Sequence, residues 1–290
     1  MKREYALTNP LSLFLDKPAK DFTRSDLLRV LEERQLEKVT FHYTALDGKY
    51  KELKIPIVSH LQAEQILTDG ERVDGSSLFK GMVDPALSDL YVVPVYRSAF
   101  LNPFDPTSLD FTCRYLTRDG ELAAFGLDNV LHRAARLFRD RTGLELHALG
   151  ELEFFLLSDM GQPIFHSVKQ RGYHASAPFL KSGTILDEMV RAISQITGAV
   201  KYAHSEVGYV ESVRSDIDEI RGKQAEQLEI EFLPTPVEET GDVLVLSRWL
   251  IRNVAYKHGC VAPSPRSSRK GSPGTACTSI WRSGAVERTS

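Results

Sequence analysis

The sequence predicts an α+β protein built in two parts, and three observations carry that expectation. Short segments of alternating apolar and polar residues, two of them next to Asp-Gly turns, read as strands. Between them lie longer segments with apolar residues at helical spacing, several closed by glycine. After Ala262 both signals stop.

The elements follow in order. Residues 1–22, with Pro10 and Pro18 and little periodicity, read as a loose N-terminal arm. Thr23 or Ser25 caps a helix through LLRVLEERQL, where Leu27, Leu28, Leu31 and Leu36 share roughly one face. KVTFHYTALDGKYKELKIPI reads as a hairpin. Val39, Phe41 and Tyr43 alternate, Asp47–Gly48 turns the chain, and Leu53 and Ile55 return. SHLQAEQILTDG is helix-like. LYVVPV and LDFTCRYL are further strands, with a second turn at Asp119–Gly120. This first unit spans 23–117. The second, 118–262, opens on the helix LDNVLHRAARLFRDRTG, closed by Gly143. LELHALGELEFFLL gives one or two strands and TILDEMVRAISQITG a helix. AVKYAHSEVGYV and QLEIEFLP are strands, and DVLVLSRWLIRNVAYKHG is a periodic helix ending at Gly259. Residues 263–290, rich in Ser, Pro, Arg and Gly, have the composition of a disordered tail.

Composition narrows the function. The 290 residues are 42% hydrophobic, enough for two cores, and the formal net charge of -3 supplies no basic field for nucleic acid. No apolar run reaches the roughly 20 residues of a membrane span, and MKREYALTNP lacks the apolar centre of a signal peptide. The cysteines, Cys113, Cys260 and Cys277, are odd in number and scattered. A soluble cytoplasmic setting is expected.

Chemistry is concentrated in the acidic residues of the second unit. GELEFFLL places Glu151 and Glu153 two apart on a strand, hence on one face, among residues suited to a central strand. Two carboxylates that close repel unless a positive charge lies between them. HSEVGYV adds Glu206, and EQLEIEF adds Glu229 and Glu231, each interrupting a strand-like run. Any one of these alone reads sooner as a solvated strand face, or one paired with Lys or Arg, than as a metal site. Three strands with acids on one face match what an oxygen-ligated Mg²⁺ or Mn²⁺ site requires. In the first unit, VDGSSLFKG offers a turn or helix start in which Asp74, Ser76 or Ser77 can cap.

In this order and spacing the segments resemble glutamine synthetase, most like the bacterial type I form. The resemblance is collinear from about Thr23 to Ala262 and rests on VDGSSLFKGM, SDLYVVP, GELEFFLL, HSEVG, QLEIEFLPTPVEETGD and LIRNVAYKHG. It implies an N-terminal β-grasp domain followed by the first part of a guanido-kinase-like α/β catalytic domain. It implies ATP-dependent amidation of the glutamate γ-carboxylate by ammonium through γ-glutamyl phosphate, with two Mg²⁺ or Mn²⁺ ions per site and ring-shaped homo-oligomers. By motif, Glu153, Glu206 and Glu229 would bind the ion facing glutamate and ammonia. Glu151 would bind the ion bridging the ATP phosphates. Asp74 would take a proton from ammonium, and Ser77 would shape that pocket from a neighbouring subunit.

Two departures qualify the resemblance. Between HSEV and QLEI lies YVESVRSDIDEIRGKQAE, largely extra, with five acidic residues: Glu211, Asp216, Asp218, Glu219 and Glu226. It reads as a solvated loop or as a changed funnel mouth. The second option keeps open a γ-glutamyl ligase acting on a larger amine such as a polyamine, and it loosens the assignment of Glu229. After KHG, the family's N-G-M-H-x-H motif does not appear in the written frame. Back-translating Ser272–Ile280 with ordinary codons and skipping two bases reads A-G-N-G-M-H-V-H. Pro263–Ser290 is therefore expected to be out-of-frame sequence after a base lost just past Ala262. The chain would then lack the second half of the site and be inactive. It could persist as a non-catalytic pseudoenzyme or as a fragment that joins full-length subunits.

Overall fold

A computed structural model describes residues 5–83, 88–159, 165, 171–263 and 286–287. The chain forms two compact units, Met1–Leu146 and His147–Glu287. Among the described residues, no helix is long and apolar enough to cross a membrane.

In the first unit, α1 (Pro10–Leu15) stands where the sequence suggested a loose arm. Its local signals are Pro10 at the first helical position and Asn9, whose Oδ1 accepts from the amides of Leu11 and Ser12. Leu11 and Leu15 are buried in the core, so packing sustains a helix too short to persist alone. α2 (Arg24–Glu33) starts at a capping box between Thr23 and Asp26. It stops before Leu36, because Gln35 takes a positive φ of 51°. β1 (Lys38–Thr44) and β2 (Tyr50–Pro56) form the expected hairpin around Gly48, φ 72°. α3 (His60–Asp69) is capped by Ser59. β3 (Glu71–Asp74), the short α4 (Gly75–Leu78), β4 (Asp89–Pro94), β5 (Phe100–Leu101) and β6 (Ser108–Thr117) complete the sheet, ordered β2-β1-β6-β4-β3 with β5 on β6.

One face of this sheet is apolar: Val39, Phe41, Leu109, Phe111 and Cys113 are buried with Leu27, Leu31 and Leu67 of the helices. The other face is polar and buried as well. His42 Nε2 lies 2.7 Å from Asp110 Oδ2, Ser108 Oγ donates to Asp110 Oδ1, and Asn102 donates to Asp110 Oδ2. Period-two alternation anticipates the apolar face alone; the second requires the β5 segment to cover it.

α5 (Leu127–Thr142) clusters with the first unit by its contacts. Buried Asn129 anchors it by donating to the carbonyls of Tyr115 and Ala123. β7 (Glu145–Ala148) then crosses the boundary.

The second unit is built on β8 (Glu151–Ser158), α6 (Gly183–Thr197), β9 (Val200–Val210), β10 (Gln224–Phe232), β11 (Thr235–Pro236), α7 (Val237–Lys257) and β12 (Val286–Glu287). Its main sheet is antiparallel, ordered β8-β10-β9; β11 and β12 flank β7 in a smaller one. Leu152, Phe154 and Leu156 of β8 and Leu228, Ile230 and Phe232 of β10 are buried, as are Leu186, Met189 and Ile193 of α6 and Leu244, Leu250 and Ile251 of α7. A Cβ on Gly150 would lie 2.6 Å from Leu244, so glycine there admits α7. Of the tail, residues 264–285 and 288–290 lie outside the described residues.

Glu226 ties β10 to α6. Its buried carboxylate accepts from the amides of Lys181 and Ser182 and from Ser182 Oγ at 2.7 Å, where the helix leaves amides unpaired. Glu226→Ala should cost about 1–3 kcal/mol, because those donors lose their acceptor. Glu226→Gln should cost less. Thermal unfolding followed by circular dichroism checks the order. Equal stability of the alanine variant and the parent would exclude this anchoring role.

Candidate functional site

The face of β8, β10 and β9 opposite the helices is acidic, and strand register places each group on it. Glu229 stands opposite Glu153 on one side and His204 on the other. In the next row, Glu231 stands opposite Glu151 and Tyr202. Residues directly opposite bring their Cβ atoms to about 4.5–5.5 Å, where like charges destabilise a sheet. Two groups have ligand atoms all within 4.8 Å of one another: His204, Glu206 and Glu229, and Glu151, Glu229 and Glu231. Glu153 is oriented by Gln227, whose amide donates to its Oε2 at 2.9 Å.

Burial and crowding set the charges. Glu229 is 7% exposed. Burial, a hydrogen bond with Glu206 and the charges of Glu151, Glu206 and Glu153 push its carboxyl up to about 7. Without a cation, Glu229 therefore holds a proton near neutrality. Burial also acts on Glu231, but hydrogen bonds from Lys201 and Tyr202 outweigh it and hold that carboxyl below its ordinary value. The Tyr202 hydroxyl is pushed up to about 12, first by that bond to Glu231. His204 Nδ1 donates to the Ser205 carbonyl at 3.1 Å and lies 3.6 Å from Glu206 Oε1. These donors are carboxylate oxygens and one imidazole, and an excess of negative charge forces a proton onto Glu229. The set fits a hard divalent cation such as Mg²⁺ or Mn²⁺.

The loop before α6 lies over β9. The His174 amide donates to the Ser205 carbonyl, and Ser205 Oγ donates to the Gly172 carbonyl at 2.6 Å. A cleft of about 360 Å³ is lined by His174, Ser205, Glu206 and Gln227, and another of about 670 Å³ by Tyr173, Asp187, Tyr202 and His204. Both fall near the size range of small-molecule sites. The His174 and His204 ring centroids are 4.2 Å apart.

The structure thus brings together Glu151, Glu153, Glu206 and Glu229. Two neighbours had no assigned role in the sequence reading, Glu231 and His204. Their signals were present as the Glu229–Glu231 alternation and the first residue of HSEV. Asp74 and Ser77 lie in the first unit, where β3 meets α4. Asp74 Oδ1 accepts from Ser76 and Oδ2 from Ser77 Oγ. These bonds, Ser77 foremost, lower its carboxyl to about 2. A Cβ on Gly75 would lie 2.8 Å from the Ser88 carbonyl, so the turn requires glycine.

The extra segment after β9 is a packed loop at the far end of the strands. The Val213 amide donates to the Lys223 carbonyl, and that of Gly222 to Val213. Val213 is buried with Leu157 and Ala225. Glu211, Asp216, Asp218 and Glu219 are exposed and line neither cleft, while Glu226 is committed to α6.

Comparison with known proteins gives a consistent result. Residues 35–118 match the glutamine synthetase β-grasp domain and residues 128–286 the glutamine synthetase catalytic domain. A glutamine synthetase of Pasteurella multocida is 24% identical over 285 residues, covering 86% of this chain and 56% of the relative. One of Thermotoga maritima is 25% identical over 246 residues, covering 82% and 50%. The chain therefore spans about half the length of these curated relatives. Among solved structures, ligand-free GmaS superposes with a TM-score of 0.65 at 15% identity, covering 82% of this chain and 52% of that one. A Plasmodium falciparum glutamine synthetase gives 0.64 at 16%, covering 83% and 50%. At those identities the likeness is one of fold.

The proton on Glu229 has a measurable consequence. Between its ordinary value of 4.5 and about 7, the folded chain holds a proton that the unfolded chain has released. Stability should therefore fall as pH rises through that window. Glu229→Gln, which keeps the shape and removes the charge, should raise the metal-free thermal midpoint at pH 8 by roughly 2–4 °C. At pH 4, where both forms are protonated, it should change nothing. A shift of the same size at both pH values would contradict this account of Glu229.

Proposed function

Because the chain belongs to the glutamine synthetase family, we propose that its site is that of an ATP-dependent ligase joining ammonium to the γ-carboxylate of glutamate. The observation that carries this reading is the convergence of Glu151, Glu153, Glu206, Glu229 and His204 on one sheet face. In this reading Glu153, Glu206 and Glu229, with His204, would hold a divalent ion, and Glu151 faces the ATP phosphates. The ion, when bound, neutralises charge on the phosphate and carboxylate oxygens. Gln227 fixes the Glu153 carboxylate, and the Ser205 carbonyl fixes the His204 ring.

In the proposed reaction a γ-carboxylate oxygen of glutamate bonds to the terminal phosphorus of ATP as its bond to the β-phosphate oxygen breaks, giving γ-glutamyl phosphate and releasing ADP. The nitrogen of ammonia then displaces inorganic phosphate, giving the amide. Asp74, ionised far below neutrality by its serine hydrogen bonds, supplies a fixed negative charge for ammonium from a neighbouring subunit of a ring-shaped oligomer. It takes a proton from the ammonium, which frees the electron pair with which the resulting ammonia attacks the acyl phosphate. Ammonium is preferred to a larger amine, because Glu211, Asp216, Asp218 and Glu219 of the extra acidic segment line neither cleft, and its Glu226, which lines one, is engaged by Lys181 and Ser182.

The written frame after Ala262 carries no N-G-M-H-x-H motif, so we further propose that turnover needs the alternative frame. The test is glutamate- and ammonium-dependent ATP hydrolysis with Mg²⁺. It compares the 290-residue chain with one whose frame is restored after Ala262 from the source DNA. Turnover is expected from the restored chain only. Turnover by the written chain would assign function to its tail. No turnover by either with ammonium, but turnover with an organic amine, would replace the substrate.

A further inference from the structure

Glu231 has no part in the ligand set that the family resemblance implies, yet it sits inside the cluster, 6% exposed, with ligand atoms close to those of Glu151 and Glu229. Its partner is Lys201. Glu231 pairs with Tyr202, while the next residue, Phe232, pairs with Val200. One residue of β9, Lys201, is therefore extra. Regular alternation would send Lys201 to the face opposite Tyr202. An inserted residue re-aims a side chain, and here Lys201 Nζ lies 2.6 Å from Glu231 Oε1 and 4.9 Å from the Tyr202 ring centroid. Tyr202 also donates its hydroxyl to Glu231. The Glu231 oxygens are thus engaged by an ammonium and a hydroxyl. A divalent ion shared by Glu151, Glu229 and Glu231 would compete for those oxygens and would lie beside a like charge.

Building on the metal reading above, we propose that the Lys201 ammonium takes the place of a second divalent ion at the Glu151–Glu231 end of the cluster, so that this chain holds one divalent ion, on His204, Glu206 and Glu229. The irregularity in β9 is the device that delivers the lysine. His204 and Glu206 follow Tyr202 along β9 and belong to the other ligand group, while Glu229 is common to the two.

Mn²⁺ is the probe, and the signal of free Mn²⁺ in electron paramagnetic resonance counts ions bound to the unmodified chain. One Mn²⁺ per chain is expected. Lys201→Met should gain a second, bound about tenfold more tightly than any second ion on the unmodified chain. Adding Glu231→Gln to that variant should return the count to one. Two ions of similar affinity on the unmodified chain would overturn the proposal while leaving the metal reading intact. No bound ion would overturn both. A folded Lys201→Met variant that still binds one ion would also overturn it. Should that variant fail to fold, Lys201→Gln takes its place, and the count on the unmodified chain is decisive by itself.

Discussion

Repulsion among carboxylates on one half-buried sheet face is the constraint around which the second unit is organised. Antiparallel register sets Glu151, Glu153, Glu229 and Glu231 in adjoining rows on two neighbouring strands. Such a face is stable only if each carboxylate has a cation, a proton or a hydrogen-bond donor. The structure distributes these with little redundancy. Gln227 serves Glu153, while Lys201 and Tyr202 serve Glu231. Glu229, left between Glu206 and three other acids, keeps a proton. A divalent ion would displace that proton and bind Glu206 and Glu229 in its stead, which couples metal affinity to pH.

The apolar side of the same sheet is what enforces this arrangement. Leu228, Ile230 and Phe232 alternate with Glu229 and Glu231, so a register slip of one residue would drive the acids under the helices and expose the core. Packing against α6 and α7 therefore fixes the register, and the register fixes which acids meet. Gly150 admits Leu244 at the head of β8, and Glu226 fastens the start of α6 to β10. Both hold the frame on which the clustered acids stand.

The helices and hairpins were legible in the sequence because their signals are local. Capping at Thr23 and Ser59, Asp-Gly at residues 47–48 and the glycines at 143 and 198 each act within a few residues of themselves. The family-bearing acids were legible for a related reason, since alternation in GELEFFLL and QLEIEF is itself the strand signal. What was missed depends on partners distant in sequence. α1 is too short for periodicity, and burial of Leu11 and Leu15 sustains it. The His42–Asp110 pair reads as the solvent side of two strands until β5 and Asn102 cover it. Asn129 of α5 donates to the carbonyls of Tyr115 and Ala123, a contact with no sequence pattern. The displaced Lys201 is visible only once β9 and β10 are paired, because an extra residue is extra only with respect to a partner strand.

Asp74 and Glu229 show how one chain gives the same functional group opposite dispositions. Asp74 is exposed and takes three hydrogen bonds from two serines, all of which favour the ionised form, and it rests at about 2. Glu229 is buried among like charges, which favours the neutral form, and it rests at about 7. Environments that separate two carboxyl groups this far divide their work. A group at about 2 is a durable anion, suited to attracting a cation and poor at retaining a proton. Proton transfer to it from an ammonium ion is uphill, and goes forward only where the freed amine is consumed by a following step. A group at about 7 exchanges its proton for a metal ion with little cost near neutrality. The serines beside Asp74 and the crowded acids beside Glu229 therefore decide which of the two carboxyls is charged near neutrality.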